Sequence, residues 1–212
     1  GLSAGYGGQS PVFYNLLVAA AMNLILQRVI LPADGVRNIR SAGLMAMALF
    51  GPAMEIKQSS VFEGVFLGLF LIWFGWKSRR PAATLTADAF LWVLTALAPT
   101  LCVMTFYVLL GYGHEWFFAN IESIFLRAPH PAWLNHMNFR HMLWRLLPLL
   151  IADGAALFCL RAAVKRIPLL FLTLWAASAL AGVFLFGDWY DHYALPLYVP
   201  LTILAAPLGN PK

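Results

Sequence analysis

Seven long apolar runs, parted by short polar or basic connections, dominate the chain: residues 12–31, 42–54, 61–76, 89–110, 143–160, 168–186 and 194–208. A helix crosses a bilayer with about 20 mainly apolar residues. The pattern therefore predicts an all-α integral membrane protein, a polytopic helical bundle of about seven transmembrane segments, with 1–212 forming part of a single domain. The second run is short and carries Pro52, so with the third it could form a re-entrant hairpin instead. Residues 111–142 read as a long loop. Within it, HEWFFANIESIFLRA places Phe117, Ile121, Ile124 and Phe125 on one helical face and Glu115 and Glu122 on another, which predicts an interfacial helix.

Composition strengthens the membrane reading. Apolar residues make up 61% of the 212 and charged residues only 11%, against roughly 25% charged in ordinary soluble domains. One soluble core cannot bury that much apolar surface, so a soluble enzyme, a disordered tail and a nucleic-acid-binding domain are all poor readings. Cys102 and Cys159 both lie inside apolar runs and offer neither a disulfide framework nor a zinc spacing. No signal peptide precedes the first run, and the opening GLSAGYGGQSP reads as a loop, so the chain is expected to be the middle or C-terminal part of a longer membrane domain.

Charge placement then predicts orientation. Arg28 at the end of the first run is followed by Arg37 and Arg40, while Lys77, Arg79 and Arg80 follow the third, Arg161, Lys165 and Arg166 the fifth, and Lys212 the seventh. These are ten of the fourteen basic residues, all in alternate connections; the others hold only Lys57, Arg127, Arg140 and Arg145. The positive-inside rule makes the first set cytoplasmic and turns the second outward. All five histidines (His114, His130, His136, His141 and His192) then face out, with Glu55, Glu115, Glu122, Asp188 and Asp191. Trp73, Trp76, Trp116, Trp133, Trp144, Trp189 and Tyr190 fall near span ends, as an aromatic belt requires.

Two constellations carry candidate chemistry. Lys57, in MEIKQSSVFEG, is an ammonium at the outer membrane edge between Glu55 and Glu63. It suits a phosphate at headgroup level, or it snorkels to the interface and pairs with Glu55. The second is GDWYDHYALPLYVP, where Asp188, Asp191, His192, Tyr190 and Tyr193 crowd a short connection. A carboxylate there can orient His192 for hydrogen bonding or proton transfer, and Asp188 or Asp191 can equally cap the last helix. Asp153 falls in the middle of the fifth run, where an ionised group needs a partner, and Arg145 is one candidate. His130, His136 and His141 match no common ligand spacing, so no metal is expected. No P-loop, GxSxG or HExxH occurs.

Three segments, GLMAMALFGPAMEIKQSSVFEGVFLGLFLIW, LAPTLCVMTFYVLLGYGHEWFFANIESIF and DWYDHYALPLYVPLTILAAPLGN, together resemble the GT-C class of polyprenyl-phosphate-sugar glycosyltransferases. Protein mannosyltransferases and the aminoarabinose transferase of lipid A belong to that class. The resemblance implies an inverting, multi-pass transferase of the bacterial inner membrane. It would move a sugar from a polyprenyl-phosphate donor to a glycan, lipid or protein acceptor at the exterior face, without a cofactor. It further implies that Lys57, Asp191, His192 and Tyr193 contribute to the donor-phosphate or sugar pocket. The family's acidic catalytic motif lies in an exterior loop before the matched region, so the catalytic base cannot be placed and the 212 residues alone should be inactive. A small-solute transporter, with Asp153 and Glu63 lining a pathway, and a non-catalytic membrane subunit are the alternatives.

Overall fold

The described part of each of the seven apolar runs lies mainly on a helix in the computed structural model, which describes residues 10–32, 38–126, 131–160, 166–186 and 189–206. The architecture is all-α, with no strand among the described residues. Helix α1 (Ser10–Ile25) continues into a wider turn over Leu26–Ile30, closed by Leu31 N–H donating to the Leu26 carbonyl at 2.9 Å. Then come α2 (Ile39–Ile56), α3 (Val61–Lys77), α4 (Ala82–Leu109), the short α5 (Gly113–Phe117) and α6 (Ser123–Phe125), α7 (Ala132–Leu160), α8 (Arg166–Phe186) and α9 (Leu195–Ala205). Five helical stretches, Ser10–Ile30, Gln58–Lys77, Ala82–Leu109, Ala132–Phe158 and Arg166–Phe184, are long and apolar enough to cross a membrane. The 18-residue α2 is about 27 Å long at 1.5 Å per residue.

Two helices start well before their apolar runs, by seven residues or more. The expected loop over 111–142 ends at 131, because WLNHMNFRHM continues the helical spacing of α7 despite its polar residues. Helix α4 begins at Ala82, right after Pro81, and so takes in Thr84, Thr86 and Asp88. Hydropathy locates the apolar centre of a helix; local stop signals locate its end. The segment expected to be helical is so, as α5 and α6 joined by a wider turn over Phe118–Glu122, with Phe117, Phe118, Ile121 and Phe125 exposed.

Two apolar clusters hold the bundle. The larger joins α1, α2 and α3 to Trp92 of α4 and to Phe171 and Trp175 of α8; the smaller joins Met142 and Leu146 of α7, Ala179 and Val183 of α8, and Leu197 and Leu201 of α9. Helix α8 is the wall they share. The outer faces of α4 and α7 remain uncovered, with Phe90, Leu109, Ile151 and Phe158 each more than half exposed. Such broad apolar exposure marks a surface made for another apolar medium or partner.

One end of the bundle is fastened by a carboxylate. Asp88 is fully buried and accepts from Nε of Arg40, at the start of α2, and from Nη1 of Arg80 at 2.8 Å, in the α3–α4 connection. The Trp92 indole donates to the Arg40 carbonyl at 3.1 Å. Gly43 makes room for that indole, since a Cβ there would lie 2.3 Å from Trp92 Nε1. Replacing Asp88 by Ala strands two guanidinium groups beside an apolar core. Complete loss of a partner inside a core costs about 3–5 kcal/mol. Both arginines reach solvent here, so Asp88→Ala is expected to destabilise the detergent-solubilised protein by on the order of 2–3 kcal/mol, read as a lower unfolding midpoint. An unchanged midpoint would remove Asp88 as the fastening.

Candidate functional site

At the other end of α2, about 26 Å from Arg40 along the axis, the chain turns at Lys57. Its backbone is extended (φ −158°, ψ 121°), and its N–H still donates to the Ala53 carbonyl at 3.0 Å, so it both ends α2 and starts the turn. The Ser60 hydroxyl and N–H return to the Lys57 carbonyl at 3.0 and 3.2 Å, which tightens Gln58–Ser60 into one 3₁₀ turn before α3. Gln58 Nε2 donates to Asn120 Oδ1 at 3.2 Å, tying this turn to the segment joining α5 and α6. Glu55 does not supply the expected local partner for Lys57 but accepts from the Thr100 hydroxyl on α4. The half-buried Lys57 instead sets Nζ 4.1 Å from the centroid of the Tyr193 ring.

Tyr193 is carried there by the short turn that opens α9. Trp189 takes a left-handed backbone (φ 54°) and is wedged edge-on between Phe139 at 5.0 Å and Phe184 at 4.6 Å. The following Asp191–Ala194 is a 3₁₀ turn closed by Tyr193 N–H donating to the Tyr190 carbonyl at 2.8 Å. Tyr190, His192 and Tyr193 form an aromatic cluster. The imidazole lies 4.6 Å from Tyr193, nearly perpendicular, and 5.6 Å from Tyr190, nearly parallel.

Lys57 and Tyr193 line one small crevice with Tyr14, Ser59 and Glu63, closed by Gly182, Val183 and Pro196. Its volume is about 10 Å³, room for about one water molecule. Glu63 is 2% exposed and accepts from Trp175 Nε1 at 2.7 Å, a contact that joins α3 to α8. Gly182 permits the close approach, because a Cβ there would lie 3.3 Å from the Ser59 carbonyl oxygen. An alanine at 182 requires the Ser59 carbonyl to give by a few tenths of an ångström.

Of the residues singled out from sequence, Lys57 and Tyr193 therefore share a crevice, while His192 stands behind Tyr193 and does not line it. Asp191 opens the 3₁₀ turn with its backbone; its side chain lies outside the described residues, as do Arg37, Arg127, His130, Arg161, Lys165, Asp188 and Lys212. Asp153 is buried in α7, and neither of its oxygens has a hydrogen-bond partner among the described residues, so the pairing with Arg145 does not form. Among the described residues no three His, Cys, Asp or Glu side chains gather as a metal-ligand set. Tyr14, Ser59 and Trp175 escaped sequence reading. Their signal was a mid-span indole and a phenol inside otherwise apolar runs, each needing a polar partner.

No family model, curated protein or solved structure matches this chain. The likeness to the GT-C class rests on the three sequence segments alone.

Removing the indole donor tests the α3–α8 tie. Trp175→Phe leaves the buried Glu63 oxygen without its partner and is expected to lower stability by about 1–3 kcal/mol. Glu63→Gln keeps a carbonyl acceptor and is expected to cost less; chemical denaturation of both single variants and the double variant measures the coupling. A coupling of zero would show that the two groups do not act together.

Proposed function

We propose that the chain is part of an inverting membrane glycosyltransferase with about seven spans, taking its sugar from a polyprenyl-phosphate donor at the exterior face of the bacterial inner membrane. The observation that carries this reading is the placement of the Lys57 ammonium against Tyr193, two groups far apart in sequence, at one rim of an apolar bundle. A lipid-linked phosphate lies at headgroup depth, where a cation at the end of a span can meet it.

In the reaction, the acceptor hydroxyl attacks the anomeric carbon and the bond from that carbon to the phosphate oxygen breaks. The acceptor's proton goes to a general base, and polyprenyl phosphate departs with the bonding electrons. Lys57 would stabilise the charge growing on the leaving phosphate. A crevice of about 10 Å³ is too small to enclose a phosphate, so the donor would bind at its mouth, with Lys57 and the Tyr193 hydroxyl presented from below. His192 would hold the Tyr193 ring in place. Glu63 is committed to Trp175, and no residue of the chain is assigned as the base; the 212 residues alone are expected to bind donor without turning it over.

Lys57→Ala is expected to weaken retention of polyprenyl phosphate by about tenfold or more and to abolish transfer in the full-length parent. His192→Ala is expected to lower transfer with a smaller effect on binding. Unchanged binding and unchanged transfer in folded variants would refute the assignment. The transport reading draws on Asp153, a buried carboxyl with no described partner. Solute flux in proteoliposomes that is lost in Asp153→Asn, with no transferase activity in the parent, would establish it instead.

A further inference from the structure

The histidines of α7 belong to no part of the crevice, yet they are not scattered. Trp133, His136, Met137, Arg140, His141 and Trp144 recur at helical spacing and line one open hollow on a single stripe of α7. The opposite stripe packs inward through Phe139, Met142 and Leu146. Trp133 and Trp144 are 68% and 66% exposed. Arg140, His136 and His141 have no hydrogen-bond or ion-pair partner among the described residues. No carboxylate lines the hollow.

We infer that this stripe binds the phosphodiester headgroup of an anionic phospholipid of the surrounding bilayer. Three features commit it to that occupant. The charge is complementary, since a guanidinium with imidazole donors on both sides offers several N–H groups to one phosphate and nothing repels it. The depth fits: from His136 to His141 the helix rises about 7–8 Å, close to the roughly 5–8 Å headgroup layer on each side of a bilayer. The flanks fit as well, because Trp144 leads into the exposed apolar face containing Ile151 and Phe158, and indoles favour the edge of the headgroup layer. The inference needs α7 to cross a bilayer but does not need glycosyl transfer.

The test uses the whole chain in mixed micelles with phosphatidylglycerol or phosphatidylcholine, and counts retained lipid by native mass spectrometry. The triple variant His136→Gln, Arg140→Gln, His141→Gln is expected to bind phosphatidylglycerol about tenfold more weakly at one class of sites. Phosphatidylcholine binding and the unfolding midpoint should not move, because the three side chains are exposed. Arg140→Glu alone, which repels phosphate, should reproduce the loss if the triple variant folds poorly. Undiminished phosphatidylglycerol binding in both variants overturns the inference, as does an equal loss of both lipids. Displacement of phosphatidylglycerol by inorganic phosphate alone overturns it too, by showing a site for the free ion.

Discussion

A carboxyl group buried in an apolar bundle must find a donor, and among the described residues Glu63 finds Trp175 at 2.7 Å. That single hydrogen bond spans 112 residues of sequence and sets α3 against α8. The contact brings Gly182 onto the Ser59 carbonyl, which in turn sets the 3₁₀ turn carrying Lys57 beside the entry to α9. Apolar packing, such as Phe66 and Phe70 against Phe171, is non-directional and specifies such a register less sharply than a directed bond does. Asp88 does the corresponding work at the far end, where Arg40 and Arg80 fasten the start of α2 to the α3–α4 connection.

The fold was largely legible in the sequence because apolar length is a strong signal, and each run coincides with a helix. Helix ends were not. Ala82–Asp88 and Ala132–Met142 are helical yet too polar for a hydropathy reading, which registers transfer free energy and not backbone geometry. Asp88 shows the consequence: read as a residue near a loop, it draws no comment, and placed on the first turns of a helix it becomes the buried partner of two arginines.

The site was legible only in part, for a related reason. Lys57 and Tyr193 stand out as polar groups at the ends of apolar runs, and charge alternation suggested a common rim before any packing was considered. Their immediate neighbours did not stand out. Tyr14 and Trp175 are aromatic residues among many, and their hydroxyl and N–H gain meaning only once Ser59 and Glu63 are brought opposite them by tertiary packing. Sequence shows which side chains are costly to bury; the pairing that offsets each cost is a property of the assembled bundle.

The sizes of the cavities then constrain what any substrate can do. The polar crevice holds about one water, whereas the hollow along α7 is large but exposed. A soluble ligand needs enclosure to exchange its hydration for protein contacts, and neither place offers it. An amphiphile needs less, because the bilayer already holds its chain and fixes its headgroup at a depth. For such a ligand a few donors at the right height suffice, and the entropy of orienting it is largely removed beforehand. In the proposed readings, Lys57 at the end of α2 and Arg140 near the start of α7 would be donors of that kind. Polar groups at the rims of an apolar bundle would suit recognition of membrane-held anions, as proposed above for both places.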